Sequence, residues 1–334
     1  MGHKRRNFIQ TTIAASLGIP LMGSNIISDS LLNDQKIKIS LQCYSFASSL
    51  FNKKMNIIDF PKIVREDFNI EAAEYWNIPM IEKRRDSNFI REFNKRTNDY
   101  GLENTFMLVD LINFQTGESK SLCSGDKIER SIAIEEHKEW IEFSKSIGCK
   151  GIRVNLRSDN MTPIEVKSIS KDSIGELLEF SNKINMSMLI ENHGGYTSDV
   201  KWLIDLIKCI NHPKLGTLPD FGTRNFCIKT APKKESGIFG SECVNQYDKY
   251  KGVEEMLPYA KGISAKSHTF NNDGEEMSTD YKKMINLIKA SGFNGYIAIE
   301  YEGAIMALYE KGNSEFLSSH DGILATKKLI EKYL

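Results

Sequence analysis

The chain has 334 residues, of which 40% are hydrophobic, and its 44 Lys and Arg residues equal its 44 Asp and Glu residues. This length fits one α/β barrel domain of about 250 residues with an N-terminal segment better than it fits two domains. The zero formal net charge gives no support for a polyanionic partner, because nucleic-acid binders carry a clustered basic surface. We therefore expect no nucleic-acid partner.

The first 35 residues are typical of an export signal. Lys4, Arg5 and Arg6 precede a modestly apolar stretch at 11–23 and a small, polar run at 24–30. This is the order of regions in a signal peptide, and the twin arginine resembles a Tat signal. The apolar stretch is shorter than the about 20 residues that span a membrane. We predict a Tat-like leader at 1–35, periplasmic export and no stable membrane insertion; the alternative is a basic start followed by a short core helix.

Strand-like and helix-like patterns alternate from residue 36 to the end of the chain. The predicted strands are 37–44, 70–76, 104–110, 151–156, 186–193, 215–221, 262–270 and 295–303. The predicted helices are 57–68, 88–100, 129–147, 171–184, 198–210, 279–290 and 322–333, with Ser198, Thr279 and Asp321 as N-caps. Such alternation implies parallel strands joined by right-handed crossovers. We predict a single (β/α)8 TIM barrel over 36–334, with a doubly wound open sheet as the alternative.

A long loop, the cysteines and two of the histidines give further expectations. The stretch 225–250 is a long connection after the sixth strand, and long βα loops of barrels lie over the active site. None of the six cysteines forms a CxxC pair, so we expect most of them to be buried thiols. His137 lies in a charged helical run and is expected at the surface, whereas His212 precedes a proline and is expected in a turn.

Four consecutive predicted strands end in ionisable side chains. They are Glu191 and His193 on the fifth strand, Asp220 on the sixth, Lys266 and His268 on the seventh, and Glu300 and Glu302 on the eighth. An acid at one strand end is commonly a cap for the next helix. Four strands in succession favour a metal site, because a buried carboxylate is unfavourable unless it is paired or bound to a cation. Carboxylate and imidazole ligands suit Mn, Zn, Fe or Co better than Ca.

Other polar and aromatic side chains end the first, second and fourth strands. Arg153 and Asn155 share a face of the fourth strand, Glu74 and Trp76 share a face of the second, and Tyr44 closes the first. Barrel packing alone favours apolar residues at such positions. An aromatic face beside hydrogen-bonding groups suits a sugar ring. The alternative is that Trp76 packs beneath a loop.

The sequence resembles the sugar phosphate isomerase/epimerase family, the xylose isomerase-like TIM barrels, over residues 37–334. The motifs that carry the resemblance are LIENHGG at 189–195, GTLPDFG at 216–222 and IAIEYEG at 297–303. The resemblance implies one metal ion held by Glu191, Asp220, a seventh-strand residue and Glu300. The order Lys266-Ser267-His268 departs from the family's His-x-Lys-Asp motif. We predict His268 as the ligand, because a protonated lysine cannot bind a metal.

The predicted function is that of a keto-sugar isomerase or epimerase. A divalent metal (Mn, Zn or Co) would stabilise an enediolate, and Glu191 and Glu300 would move the proton. The predicted sugar contacts are Tyr44, Glu74, Trp76, Arg153, Asn155, His193, Lys266 and Glu302. The substrate is expected to be a free sugar or glycoside rather than a sugar phosphate.

Several alternatives remain open at this point. The same enediolate would allow a lyase acting on 3-keto-glycosides, and the same barrel would allow a sugar-binding protein without catalysis. An endonuclease IV-like nuclease and a Schiff-base aldolase using Lys266 are weaker alternatives. The expected partner is a small-molecule sugar, and a homo-oligomer is left open.

Overall fold

The computed structural model describes residues 37–114, 116–157, 161–232, 241–309 and 316–334. The predicted leader lies outside these residues. Eight parallel strands coincide with the eight predicted ones, differing by a few residues at their ends. They are β1 (Lys38–Gln42), β2 (Ala72–Trp76), β3 (Glu103–Leu108), β4 (Gly151–Val154), β5 (Ser187–Glu191), β6 (Leu215–Leu218), β9 (Ile263–Ser267) and β10 (Tyr296–Tyr301), while β7 (Cys227–Pro232) and β8 (Ser241–Gln246) form a separate hairpin.

The eight strands form one curved sheet in the order β6-β5-β4-β3-β2-β1-β10-β9. The two end strands, β6 and β9, meet through a parallel bridge between Asp220 and Ser264. The Ser264 amide also donates a hydrogen bond to the Pro219 carbonyl at 2.9 Å. The predicted TIM barrel is therefore confirmed, and the open-sheet alternative is wrong.

Helices surround the sheet, and seven of them overlap the predicted ones. The helices are α1 (Ala47–Phe51), α2 (Phe60–Glu66), α3 (Ser87–Asp99), α4 (Lys127–Ser146), α5 (Pro163–Lys183), α6 (Val200–Ile210), α7 (Lys249–Met256), α8 (Tyr281–Ala290), α9 (Gly303–Tyr309) and α10 (Ser319–Tyr333). Helix α5 begins eight residues before its predicted start, because Thr162 and Glu165 form a reciprocal capping box there. Among the described residues, no helix is long and apolar enough to cross a membrane.

The three predicted N-caps are wrong by one to three positions. The side chains of Asp199, Asp280 and Ser318 cap α6, α8 and α10 instead. In each helix the capping oxygen accepts the amide of the residue three positions later, as in the Asp280 bond to Lys283 at 2.9 Å. Asp caps a helix as well as Ser or Thr does, so where the two types are adjacent in sequence the residue types alone do not show where the first turn of the helix begins.

The hairpin of β7 and β8 lies within the predicted long connection 225–250. Its strands pair with each other in antiparallel register, and within the described part of the chain they belong to no larger sheet. A disulfide joins Cys227 to Cys243 across 16 positions of sequence. Three cysteines (Cys43, Cys123 and Cys149) are buried free thiols, and Cys209 is exposed. Only three of the six cysteines are buried thiols, so the expectation that most of them are is wrong. Two cysteines 16 positions apart form no local sequence motif, so the disulfide could not be recognised from their spacing.

Apolar side chains of the strands and helices form the buried core of the barrel. His137 of α4 belongs to this buried region, with only 3% of its surface exposed. Its Nδ1 lies 2.7 Å from the Ala133 carbonyl one turn earlier. The predicted surface position of His137 is therefore wrong, because its charged neighbours occupy the outer face of α4 while it faces inward.

Candidate active site at the carboxyl ends of the strands

Three carboxylates meet at the carboxyl-terminal rim of the barrel. Glu191 is the last residue of β5, Asp220 follows β6, and Glu300 lies near the end of β10. All three are buried. One carboxylate oxygen of each lies within 4.8 Å of those of the other two. Parallel barrel strands end at the same rim, so residues distant in sequence come together there.

Lys266 of β9 stands at the seventh-strand position where the family resemblance implies a ligand, although His268 was the predicted one. It pairs in register with Glu300. Its Nζ lies 3.4 Å from Asp220 Oδ2, 3.4 Å from Glu300 Oε1 and 2.9 Å from Glu302 Oε1. This ammonium is 5% exposed, so its charge acts directly on the carboxylates around it.

His268 lies outside the three-carboxylate group, which corrects its predicted place as a ligand. Strand β9 ends at Ser267, so the chain leaves the strand geometry before His268. The imidazole Nε2 lies 3.3 Å from Glu302 Oε2 instead. Glu302 is thus paired with both Lys266 and His268, at the edge of the cluster.

Short contacts fix the orientation of the cluster carboxylates. The Ser264 hydroxyl donates to Glu300 Oε2 at 2.5 Å. The Gly222 amide donates to Asp220 Oδ1 at 2.6 Å. A Cβ at position 222 would stand 2.8 Å from Asp220 Oδ1 and 2.8 Å from Lys266 Cδ. A side chain at this position would therefore force the Asp220 carboxylate or the Lys266 side chain to shift.

Arg153 connects the cluster to the wall of the site. Its Nε lies 2.9 Å from Glu191 Oε2, and its Nη1 donates to Asp110 Oδ1 at 2.8 Å. Asp110 also accepts bonds from Asn155 Nδ2 at 2.6 Å and from Trp76 Nε1 at 2.8 Å. Asp110, which follows β3, therefore orients three of the predicted sugar contacts.

Burial and like charge perturb the acids of the cluster. Burial raises the pKa of Glu191 to about 7, against the lowering effect of Arg153 and with a further rise from Glu300. Burial also raises the pKa of Asp220 well above its ordinary value, although Lys266 opposes the rise. Burial works the same way on Glu302, yet Lys266 and His268 hold its pKa below the ordinary range. The protein's own cations therefore balance Glu302 more fully than Glu191 or Asp220.

A divalent cation fits the three carboxylates in charge and donor chemistry. Glu191 Oε2 and Asp220 Oδ2 are buried, and neither accepts a hydrogen bond from the described residues. Arg153 Nε is close to Glu191 Oε2, but its N–H is not aligned with that oxygen. Buried carboxylate oxygens need a cation or a donor. Glu191, Asp220 and Glu300 could therefore hold a metal ion, with Lys266 beside it.

Two adjoining cavities open at the barrel rim, and Glu300 is the carboxylate of the cluster that lines one of them. The inner cavity has a volume of about 160 Å³, and the outer cavity has a volume of about 1370 Å³. The predicted site residues that line the inner cavity are Tyr44, Trp76, Arg153, Asn155, His193, Glu300 and Glu302. Those that line the outer cavity are Tyr44, His193, Lys266, His268 and Glu302. Tyr44, His193 and Glu302 belong to both walls, so the two cavities are direct neighbours.

Glu74 was predicted to contact the sugar, but it lines neither of the two cavities. It is fully buried and lies among Gln42 and Thr105, whose polar atoms are each 3.4 Å from its carboxylate. It precedes Trp76 by two residues on the same strand face, which places it one step deeper in the barrel. Burial raises the pKa of Glu74 to about 8.

The sequence reasoning missed several residues of the site, and four of them contact the cluster, its neighbours or the inner cavity. They are Asp110, His137, Ser264 and Asn225, whose Nδ2 lies 3.5 Å from Glu191 Oε1. Asp110 is the last residue of the predicted strand 104–110, so the rule applied to strands five to eight would have found it. Ser264 shares the face of Lys266 two positions later, and the same period would have found it. His137 and Asn225 gave no such signal.

The family profile described as xylose isomerase-like TIM barrel matches residues 66–320. The chain belongs to this family. It is 19% identical over 327 residues to the 3'-dehydrocarminate deglycosidase alpha subunit of Microbacterium sp, a match that covers 80% of this chain and 88% of that one. Members of this family include sugar isomerases, epimerases and related enzymes.

Two solved structures show the same fold at low identity. The 3-keto-D-glucoside 4-epimerase of E. coli superposes with a TM-score of 0.61 at 13% identity, over 88% of this chain and 100% of that one. The IOLI protein, whose crystal structure has a bound zinc atom, superposes with a TM-score of 0.62 at 13% identity, over 89% of this chain and 99% of that one.

Proposed function

We propose that the protein is a metal-dependent keto-sugar isomerase or epimerase. The observation that carries the proposal is the buried group of Glu191, Asp220 and Glu300 at the barrel rim, within 4.8 Å of one another and next to two buried cations. Barrel enzymes place their catalytic groups at this rim. Carboxylates there can both hold a metal and transfer protons.

The reaction would begin with removal of a proton from the carbon next to the sugar carbonyl. Glu191 accepts this proton, and the electron pair of the C–H bond becomes the double bond of an enediolate. Glu300 returns a proton to the opposite face of the same carbon, or, once the hydroxyl proton of that carbon has moved to the former carbonyl oxygen, to the former carbonyl carbon. The first outcome is epimerisation, and the second is isomerisation.

Cations of the protein would stabilise the negative charge of this intermediate. Lys266 and Arg153 are fixed by their carboxylate partners, so they need no reorganisation as charge develops. A Mn, Zn or Co ion held by Glu191, Asp220 and Glu300 would supply a Lewis acid for the carbonyl oxygen. Trp76, Asn155, His193 and Tyr44 would orient the sugar in the inner cavity.

A lyase acting on 3-keto-glycosides is the second candidate. The match to a deglycosidase subunit over 80% of the chain favours it. The same proton removal would create an enolate next to the carbon that carries the leaving group. Collapse of the enolate would break that bond, and the departing group would take up a proton. Both candidates therefore share the first step.

Incubation with a panel of keto-sugars and 3-keto-glycosides in deuterated water tests the proposal. We expect deuterium at the carbon next to the carbonyl, detected by NMR, together with an epimer or isomer; release of the aglycone would indicate the lyase. Glu191→Gln keeps the shape of the side chain but loses its basicity, and should abolish the exchange. A metal-loaded protein that exchanges no deuterium with any member of the panel would favour a binding protein without catalysis.

Export to the periplasm through the Tat route is proposed separately. Arg5 and Arg6 precede a weakly apolar stretch, which supports a twin-arginine signal. The disulfide between Cys227 and Cys243 also supports export, because such bonds persist in oxidising compartments.

A further inference from the structure

We propose that the outer cavity binds the second ring of a glycoside, so that the substrate is a keto-glycoside with a hydroxylated aglycone ring rather than a free keto-sugar. This inference rests on the proposed function and specifies the substrate class of the same site. The keto-sugar ring would lie in the inner cavity, where Glu300 and Arg153 form part of the wall.

The sizes of the two cavities favour a substrate in two parts. Small-molecule sites usually have volumes of about 300–1,000 Å³. The inner cavity, of about 160 Å³, is smaller than this range, whereas the outer cavity, of about 1370 Å³, is larger. Arg157 and His193 line both cavities, and Arg157 Nη2 lies 2.8 Å from His193 Nδ1. A glycosidic bond would cross from one cavity to the other beside this pair.

The hairpin of β7 and β8 forms a wall of the outer cavity. Residues Ile228, Lys229 and Thr230 of one strand and Cys243 of the other line it. Among the residues that the structure describes, the hairpin pairs with no other strand, and most of its side chains are exposed or half-buried. A two-stranded hairpin is marginally stable by itself in water. The Cys227–Cys243 disulfide restricts its unfolded states and so keeps this wall in place.

Gly194, Gly195 and Tyr196 form another part of the wall of the outer cavity. Gly194 and Gly195 follow His193 with φ angles of 91° and 59°, which glycine adopts readily and other residues rarely. They lead the chain into a short turn that contains Tyr196. The Tyr196 ring stacks on Trp202 with a centroid distance of 5.7 Å, and its hydroxyl donates to the Met161 carbonyl at 2.5 Å.

The chemistry of these walls suits a ring with hydroxyl groups. Arg157 and Lys229 offer N–H donors only, and Thr230 offers a hydroxyl. Tyr196 adds an aromatic surface, on which a ring can pack. A second sugar ring and a phenolic ring both present hydroxyl oxygens on a flat or nearly flat frame. The shared chemistry is therefore a hydroxylated ring, and substrates can distinguish its two sources.

Comparison of three substrates tests the inference in the metal-loaded full-length protein. They are methyl 3-keto-glucoside, a 3-keto-disaccharide and a phenolic 3-keto-glucoside. We expect kcat/KM for at least one of the larger two to exceed that of the methyl glycoside by about tenfold, the gain of one or two hydrogen bonds. The double variant Lys229→Ala with Thr230→Ala should lower this ratio towards one. Lys62→Ala on α2, which lines neither cavity, should leave the ratio as in the wild type.

The outcomes separate this inference from the proposed function. If all three glycosides exchange deuterium with equal kcat/KM and the double variant does not alter the ratio, the outer cavity is no subsite and the enolising site stands. If no glycoside or free keto-sugar exchanges deuterium, the proposed function fails. A preference for the disaccharide identifies a sugar as the second ring, and a preference for the phenolic glycoside identifies an aromatic one.

Discussion

Lys266 Nζ lies 2.9 Å from Glu302 Oε1, in a pair that joins a buried lysine to a half-buried glutamate. The same ammonium is 3.4 Å from Asp220 and from Glu300. It therefore neutralises part of a buried acidic cluster from the strand position where the family resemblance implied a metal ligand. In this chain a resident cation and a bound metal would share the same carboxylates.

Replacement of Lys266 tests this electrostatic balance. In Lys266→Met, the buried carboxylates of Asp220 and Glu300 and the half-buried one of Glu302 lose their ammonium. We expect the metal-free protein to lose about 3–5 kcal/mol of unfolding free energy, as when one partner of a buried ion pair is removed. Added Mn, Zn or Co should then raise Tm more in the variant than in the wild type, because the metal replaces the lost charge. Thermal unfolding in chelator and in metal gives both values.

Lys62→Met serves as the control for this substitution. Lys62 forms an exposed pair with Glu66 at 3.7 Å, and loss of such a pair changes stability by less than about 1 kcal/mol. Equal stability of Lys266→Met and Lys62→Met in chelator would contradict the role given to the ammonium. Elemental analysis of the wild type shows directly whether the carboxylates also hold a metal.

The disulfide predicts the number of reactive thiols. In protein purified from an oxidising compartment, only Cys209 should react with a thiol reagent in the native state, because Cys43, Cys123 and Cys149 are buried. Unfolding without reductant should expose four thiols, and reduction should expose all six. Cys209→Ser should bring the native count to zero. Six reactive thiols in the unfolded, unreduced protein would show that Cys227 and Cys243 are not bonded.

The barrel and most of its acidic rim could be predicted from sequence, because both depend on local periodicity. Glu191, Asp220 and Glu300 each follow an apolar run, and the parallel arrangement then brings their strand ends to one rim. The position of His268 could not be predicted, because it depends on where β9 stops. One residue of difference in a strand end moves a side chain to the other face.

The hairpin and the inward position of His137 depend on tertiary contacts. The run that contains Cys227 and Cys243 has no strong alternation, and its pairing is fixed by a bond between residues 16 positions apart. His137 has charged neighbours in sequence, but the faces of a helix are assigned by what packs against it. For Glu74 the strand face was predicted correctly, but its depth in the barrel was not. The alternation of side chains along a strand does not tell how far a residue lies below the barrel rim.

The twin arginine predicts the route of export. Arg5→Lys with Arg6→Lys keeps the positive charge of the N-terminus but removes the pair that the Tat route reads. We expect the doubly substituted protein to remain in the cytoplasm of its native host, as measured by fractionation and immunoblotting. Lys4→Arg is a matched control that should be exported. Unchanged export of the double variant would contradict the Tat assignment, although a general secretory signal would still account for it.

The buried Glu74 carboxyl predicts a pH dependence of stability. Burial raises its pKa from 4.5 to about 8 in the folded protein, against the lowering effect of the hydrogen bond from Gln42. Between these two values the folded state holds a proton that the unfolded state has lost, so the stability contributed by this group falls as the pH rises towards 8. Glu74→Gln removes the titration and keeps the shape. The unfolding free energy of the variant minus that of the wild type should therefore rise by about 2–4 kcal/mol between pH 5 and pH 8, as measured by urea denaturation in chelator.

Glu71→Gln is the control, because Glu71 is exposed and pairs with Arg65 at the surface. The difference in unfolding free energy between this variant and the wild type should stay nearly constant over the same pH range. Parallel stability profiles for Glu74→Gln and the wild type would show that this carboxyl is already ionised at neutral pH inside the barrel.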